Sequence, residues 1–422
     1  MDRRPLILIV LSVTPLLGGA IGLATLTACS FAPIDARCGA VAAAQPARPA
    51  PDFAPFHTLP RKRLGCLPFP GPFTIYTAAD PADLGVHSYS GKTAPGETAE
   101  VERGIVYTRR AGFLDICHVR ITADFVAYIH ARLRHAIDRE WSCLRFNAHE
   151  PSIYTVRLTY PEGWSNMPAP DRDALANELA IRTAQRLANT VMTWHEIATW
   201  YGYKSSVVVP EDGSAFTHED SASHALGALV GGAALRSDEP FDHAVTRLLD
   251  AALARLDVTD VETQHAAIDA VEGEWWGSGR PLVRHTDVGL ADGAVTPWTL
   301  DHPELGPGAE GAVVFELPRI DYVLGVDCLG FARVSIEPRV LESWAIRGRI
   351  PGDPEAIVPE RDFPHLLADV RTDADDRSDV AAAADRAATP LHDAERGPTL
   401  RGSRVIFGAE SIEAPELAAA RR

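Results

Sequence analysis

Residues 112–137 read GFLDICHVRITADFVAYIHARLRHAI, and their spacing decides the fold class. Ile116, Val119 and Phe125 recur at helical intervals, the pattern of a helix with one buried face. Asp115, His118 and Thr122 follow i, i+3, i+7 spacing, so three polar groups share a face of that helix. Arg120 and Asp124 stand one turn apart and could pair on the surface. The same period predicts helices over 171–201, about 219–235, 242–256 and 258–275, with Asp171 as a cap after Pro170. Elsewhere the period is two. IYTVRLTY (153–160) alternates as a strand, and residues 313–317, 322–326 and 332–336 read as strands separated by Pro and Gly. Strands, then helices, then strands predict a single α+β domain whose middle is helical, not a βαβ alternation.

Outward from this middle the composition changes. Arg3-Arg4 precede a run from Pro5 to Ala28 that no charged residue interrupts. The run is long enough to cross a bilayer, but a basic start, an apolar stretch and a small-residue end form a signal-peptide pattern. Leu26-Thr27-Ala28-Cys29 resembles the lipobox of bacterial lipoproteins. That resemblance implies removal of residues 1–28, lipidation of Cys29 and acylation of the new amino terminus. Ser30 stands where Asp would imply inner-membrane retention, so the implied location is the outer membrane, facing the periplasm. Residues 29–60 carry Pro33, Pro46, Pro49, Pro51, Pro55 and Pro60 among many Ala, the composition of a tether. From 351 to 422 the chain is rich in Asp, Ala and Arg. Within it, ADVRTDADDRSDVAAAADR (368–386) holds too few large apolar groups to offset chain entropy, which predicts a disordered acidic tail. The expected folded domain is 61–350.

The whole chain has 422 residues, with 40 basic and 57 acidic side chains and a net charge of −17. That balance opposes non-specific binding to nucleic acid, which needs a basic surface. Apolar residues at 46% and charged residues at 23% fit a globular domain and exclude collagen, coiled coil and wholesale disorder. With Cys29 lipidated, Cys38, Cys66, Cys117, Cys143 and Cys328 remain, an odd set in an oxidising compartment. One or two disulfides fit this set; the spacings follow no zinc-ribbon pattern and name no connectivity.

Four stretches carry a family likeness: GFLDICHVRITAD (112–124), TWHEIATWYGYKS (193–205), HEDSASHALG (218–227) and TDVGLADGAVTPW (286–298). They resemble a family of bacterial lipoproteins of unknown function, domain of unknown function 4056. The resemblance implies one such domain over most of 61–350 and conveys no activity. Relatives read Ser-Asn in the third stretch where this chain has Ser223-His224.

The His195-Glu196 pair invites comparison with zinc hydrolases, in which HExxH sets two His on one helical face and leaves Glu to activate water. Here Thr199 occupies the second His position, so the motif fails as written. A surviving site draws ligands from three segments: His118, His195 and Glu219 or Asp220 around a divalent ion such as zinc, with Glu196 as the base. The same residues also suit a structural role, as buried hydrogen-bonded pairs locking helices together. A metal-free, glycosidase-like use of Asp115, Glu196 and Glu219 is a third reading. Cys117-His118 point in different directions on a helix and make no dyad. Gly231-Gly232 reads as helix packing, and Trp275, Trp276 and Trp298 read as core or rim ahead of a sugar platform. Two functions follow. One is an envelope hydrolase with a His/Glu metal site; the other is a non-catalytic lipoprotein that binds an envelope partner or cell-wall polymer.

Overall fold

A short hairpin launches the first long helix. β1 (Ile105–Thr108) pairs antiparallel with β2 (Gly112–Asp115), and the chain passes directly into α1 (Ile116–Asp138). Asp115 caps α1 by accepting a hydrogen bond from the Cys117 amide at 2.7 Å. The chain continues through β3 (Cys143–Asn147), β4 (Ile153–Leu158), α2 (Ala169–Trp200), α3 (Asp220–Arg236), α4 (Phe241–Arg255) and α5 (Val261–Ala270). It ends with β5 (Ala294–Val295), β6 (Ala312–Glu316), β7 (Ala332–Glu337), α6 (Pro359–Arg386) and β8 (Arg404–Phe407). This computed structural model describes residues 36–37, 54–63, 78–102, 104–204, 211–277, 280–386 and 404–412. All of them belong to one unit, Pro33–Arg422. The expected signal peptide and Cys29 lie outside the described residues.

Two sheets flank the helices. The larger has the order Ala36–Arg37, β3, β4, β7, with every neighbour antiparallel. Phe146 faces Tyr154 in the β3–β4 register and stacks on it with ring centroids 5.0 Å apart. In the smaller sheet β6 lies between β5, antiparallel, and β8, parallel. The α+β class read from the sequence is the observed one, and the five helices of the middle lie within a few residues of their expected spans. The last of them is shorter than its pattern at both ends: Asp260 caps its start, accepting from the Thr263 amide at 2.8 Å, and it stops at Ala270. The expected strand at 322–326 is instead a tight hairpin, since Leu324 and Gly325 both adopt positive φ.

The core is centred on α1, α2 and α3, which pack on one another. Gly227 and Gly231 of α3 set the closeness of its contact with α1. A Cβ on Gly227 would lie 2.3 Å from the Val119 carbonyl oxygen, and one on Gly231 would lie 2.8 Å from Ala123 Cα. Gly232 faces α2, where Gln185 donates to the Ala228 carbonyl at 3.0 Å. The glycine pair is thus a packing device, as its sequence suggested.

Several expectations change. Arg120 and Asp124 are not a surface pair: both are buried, and they take separate partners. Arg120 donates to the carbonyls of Leu84, Gly85 and Val101, while Asp124 accepts from Arg63 at 2.6 Å and faces His87 at 2.9 Å. The tether does not reach residue 60, because Phe56 packs edge-on against Tyr89 and Phe241, and Arg132 donates to the His57 carbonyl. The ordered core also does not stop at 350. Phe363, Leu366, Leu367 and Val370 recur at i, i+3, i+4, i+7 and are all buried, Phe363 against Trp194 of α2. Tyr201 adds a hydrogen bond to Asp369 at 2.7 Å. Few apolar residues suffice when they share one helical stripe. Cys117 and Cys143 are each disulfide-bonded, and Cys328 is a buried free thiol. Trp275 is buried among Phe113, His218 and Trp298, which makes it core. No helix among the described residues is long and apolar enough to cross a membrane.

Two stability measurements check this architecture. Phe363→Ala should cost about 3–5 kcal/mol in denaturant unfolding, as expected for a fully buried ring; a negligible loss would mean that α6 is dispensable. For Gly227→Ala, helix propensity alone favours alanine by about 1 kcal/mol. The clash with a backbone oxygen should reverse that sign and leave a net loss of about 1–3 kcal/mol.

Candidate metal centre

The first turns of α1 and α3 meet the last turns of α2. Asp115 caps α1 and His118 follows in its first turn; Asp220 opens α3 and His224 lies one turn further on. Glu196 stands four residues before the end of α2. The carboxylates of Asp115 and Asp220 thus sit where helix dipoles favour negative charge.

His118, Glu196, Asp220 and His224 each bring one donor atom into a group whose atoms all lie within 4.8 Å of one another. His118 Nδ1 is 3.0 Å from Asp220 Oδ1, and His224 Nε2 is 3.8 Å from Glu196 Oε1. The two imidazole rings are 5.1 Å apart. The remaining carboxylate oxygens are fixed from outside. Asp220 Oδ2 accepts from the Thr217 amide at 2.7 Å and its hydroxyl at 3.0 Å, and Glu196 Oε2 accepts from the Phe216 amide at 3.1 Å. His118 Nδ1, Asp220 Oδ1 and His224 Nε2 are buried atoms without an aligned hydrogen bond. Buried polar atoms seldom lack a good partner; here His118 Nδ1 and Asp220 Oδ1 have each other at ion-pair distance, and His224 Nε2 has Glu196 no nearer than 3.8 Å.

The electrostatics are those of anions short of cations. Among the described residues, the ion-pair partners of Asp115, Glu196, Glu219 and Asp220 are all histidines, with no Arg or Lys. Burial, reinforced by Asp220, pushes the carboxyls of Glu196 and Glu219 up to about 8. Burial opposes ionisation of Asp220 as well, but His118 at hydrogen-bond distance holds it below the ordinary range. Burial works against a charge on His118, yet Asp115, Asp220 and Glu196 outweigh it and raise that imidazole to about 10. Burial and the neighbouring His118 keep His224 neutral, the form that ligates metals.

The residues fit a divalent transition metal. Two ligands of one ion with ~2.0–2.2 Å bonds can lie no more than about 4.4 Å apart. The His118–Asp220 separation of 3.0 Å satisfies that limit, and the whole group, within 4.8 Å, lies close to it. Two imidazoles and carboxylate oxygens suit zinc, iron or manganese.

Of the residues singled out in the sequence, His118, Glu196 and Asp220 come together here, joined by His224. His195 and Glu219 stand outside the group. His195 Nδ1 pairs with Glu150 Oε1 at 2.5 Å, in the turn between β3 and β4. Successive helical residues diverge by about 100°, so His195 and Glu196 cannot face the same partner helix. Glu219 precedes α3, accepts from the Thr217 hydroxyl at 2.6 Å, and has its other oxygen 3.5 Å from His218 Nδ1. His224 was not among the expected ligands, although the sequence held a signal. Asp220, His224, Gly227 and Gly231 follow i, i+4, i+7, i+11, one helical face on which polar groups and close-packing glycines coincide.

No curated protein and no solved structure matches the chain. A family model described as a protein of unknown function, DUF4056, matches residues 50–286, more than half of the chain and the span that holds all four grouped residues. The chain belongs to the family of proteins of unknown function DUF4056.

Proposed function

We propose that this protein is a metal-dependent hydrolase of the bacterial envelope, anchored through lipidated Cys29 at the periplasmic face of the outer membrane. The observation that carries the catalytic reading is the convergence of His118, Asp220 and His224, each with a buried donor atom left unbonded, beside Glu196. Two histidines and one carboxylate form a ligand set that leaves a position for water, and a bound divalent ion would lower the pKa of that water. In this reading His224 takes the place first assigned to His195, and of the two carboxylates offered, Glu219 or Asp220, it is Asp220 that serves.

The chain's own residues divide the work. Thr217 grips one oxygen of Asp220 and leaves the other for the ligand set. The Phe216 amide fixes Glu196 so that its second oxygen is directed at the group. Held beside the group, that oxygen is placed to take a proton from water and return it to a leaving group. Asp115, whose side chain is 17% exposed, brings its carboxylate to 3.6 Å from the same His118 Nδ1 and adds negative charge beside it.

Elemental analysis of the full chain, purified without chelator or affinity metal, tests the reading. Stoichiometric divalent metal is expected. His118→Ala, Asp220→Ala and His224→Ala should each lose it. Glu196→Gln and His195→Gln should retain it, the former without turnover. A wild-type chain that takes up no divalent metal would overturn the proposal and leave the four residues a structural cluster.

A further inference from the structure

A second site lies two to three turns back along α2. There a small cleft of about 80 Å³, open to solvent on one side, runs between α2, the 288–290 loop and the start of α6. Its apolar lining includes Leu187, Leu317, Val334 and Phe363. Arg186 and Glu360 also line it. Arg186 is half-buried, and among the described residues its guanidinium makes no ion pair, although Glu360, Asp292 and Asp321 are near enough for their charges to act on it. Buried or half-buried arginines ordinarily find a carboxylate or a carbonyl. Here Nη1 instead lies against the backbone of Gly293, where a Cβ would come within 2.4 Å of it. Gly293 belongs to the TDVGLADGAVTPW stretch, for which the metal centre has no use.

Thr183, also in the cleft wall, shows a related deficit. Two later threonines of α2 satisfy their hydroxyls within the helix: Thr190 donates to the Arg186 carbonyl at 3.0 Å and Thr193 to the Asn189 carbonyl at 2.9 Å. Thr183 Oγ1 bonds to nothing, although the residue is only 1% exposed.

We infer that this cleft binds a free apolar α-amino acid, its carboxylate on the Arg186 guanidinium, its ammonium toward Glu360 and its side chain on the apolar wall. The charges select this class. Arg186 and the nearby Arg319 face Glu360, Asp292 and Asp321, so the site has no excess of positive charge for a dianion such as phosphate, whereas a zwitterion serves both signs at once. The inference does not depend on the metal centre: Arg186 and Glu196 are ten residues, about 15 Å, apart along α2.

Titration calorimetry of the full chain with L-leucine tests it. Saturable binding is expected. 4-Methylpentanoate, which lacks the ammonium, and isopentylamine, which lacks the carboxylate, should each bind about tenfold or more weakly by comparison. Arg186→Gln should weaken leucine by a similar factor. Glu360→Gln, on the exposed rim, should weaken leucine and leave 4-methylpentanoate unchanged, so the test survives even if the arginine variant folds poorly. Absence of saturable leucine binding, binding indifferent to both substitutions, or inorganic phosphate binding as tightly as leucine would overturn the inference.

Discussion

The contact between α1 and α3 is the constraint on which the rest of the molecule depends. Gly227 and Gly231 let the two backbones approach to distances that any side chain would forbid. At that separation the first turns of both helices set His118 and Asp220 face to face, with His224 one turn deeper. A wider crossing would keep the core apolar but separate the donor atoms. The glycines contribute no chemistry; they fix the distance at which chemistry becomes available.

The treatment of buried charge differs between two parts of the same helix. At Asp124, burial would favour the neutral acid, but Arg63 at 2.6 Å and His87 at 2.9 Å hold the carboxyl below its ordinary range. Arginine is a permanent cation, so Asp124 is balanced without a further ion, and the network ties the 54–63 and 78–102 segments to α1. Two turns earlier, the carboxylates around His118 have only imidazoles. Removing one partner of a buried pair is costly because the other charge remains. A cluster that lacks arginine and holds several unbonded donor atoms is therefore the more exceptional of the two, and it marks the site.

Periodicity made the helical middle legible. The long apolar stripes of α1 and α2 dictated helices of nearly the right extent, and the mixture with strands of period two gave the α+β class. Short elements were not legible: β1, β2 and β3 have four or five residues each, too few for a period to stand out. The site was half legible. Ionisable groups within apolar helices pointed to His118 and Glu196, but sequence adjacency suggested His195, which the helical turn carries away to Glu150. His224 was concealed because α3 is apolar nearly all round and every residue from Asp220 to Ala234 is buried, so no stripe separates its faces. The C-terminal segment misled for a different reason. Its average composition is that of a disordered chain, but Phe363, Leu366, Leu367 and Val370 are placed so that the average does not matter.

The docking of α6 and β8 has a consequence for the order of assembly. Trp194, at the centre of the molecule, is covered by Phe363, and β6 acquires one of its two neighbours only when Arg404–Phe407 arrives. A chain that emerges amino end first into the compartment where it folds exposes the α2 face and the open edge of β6 until most of its length is free. An exposed apolar face beside an unpaired strand is a template for association with other chains. Folding therefore proceeds with its closing pieces last, and chaperones that hold apolar segments would have this face to grip until α6 seats.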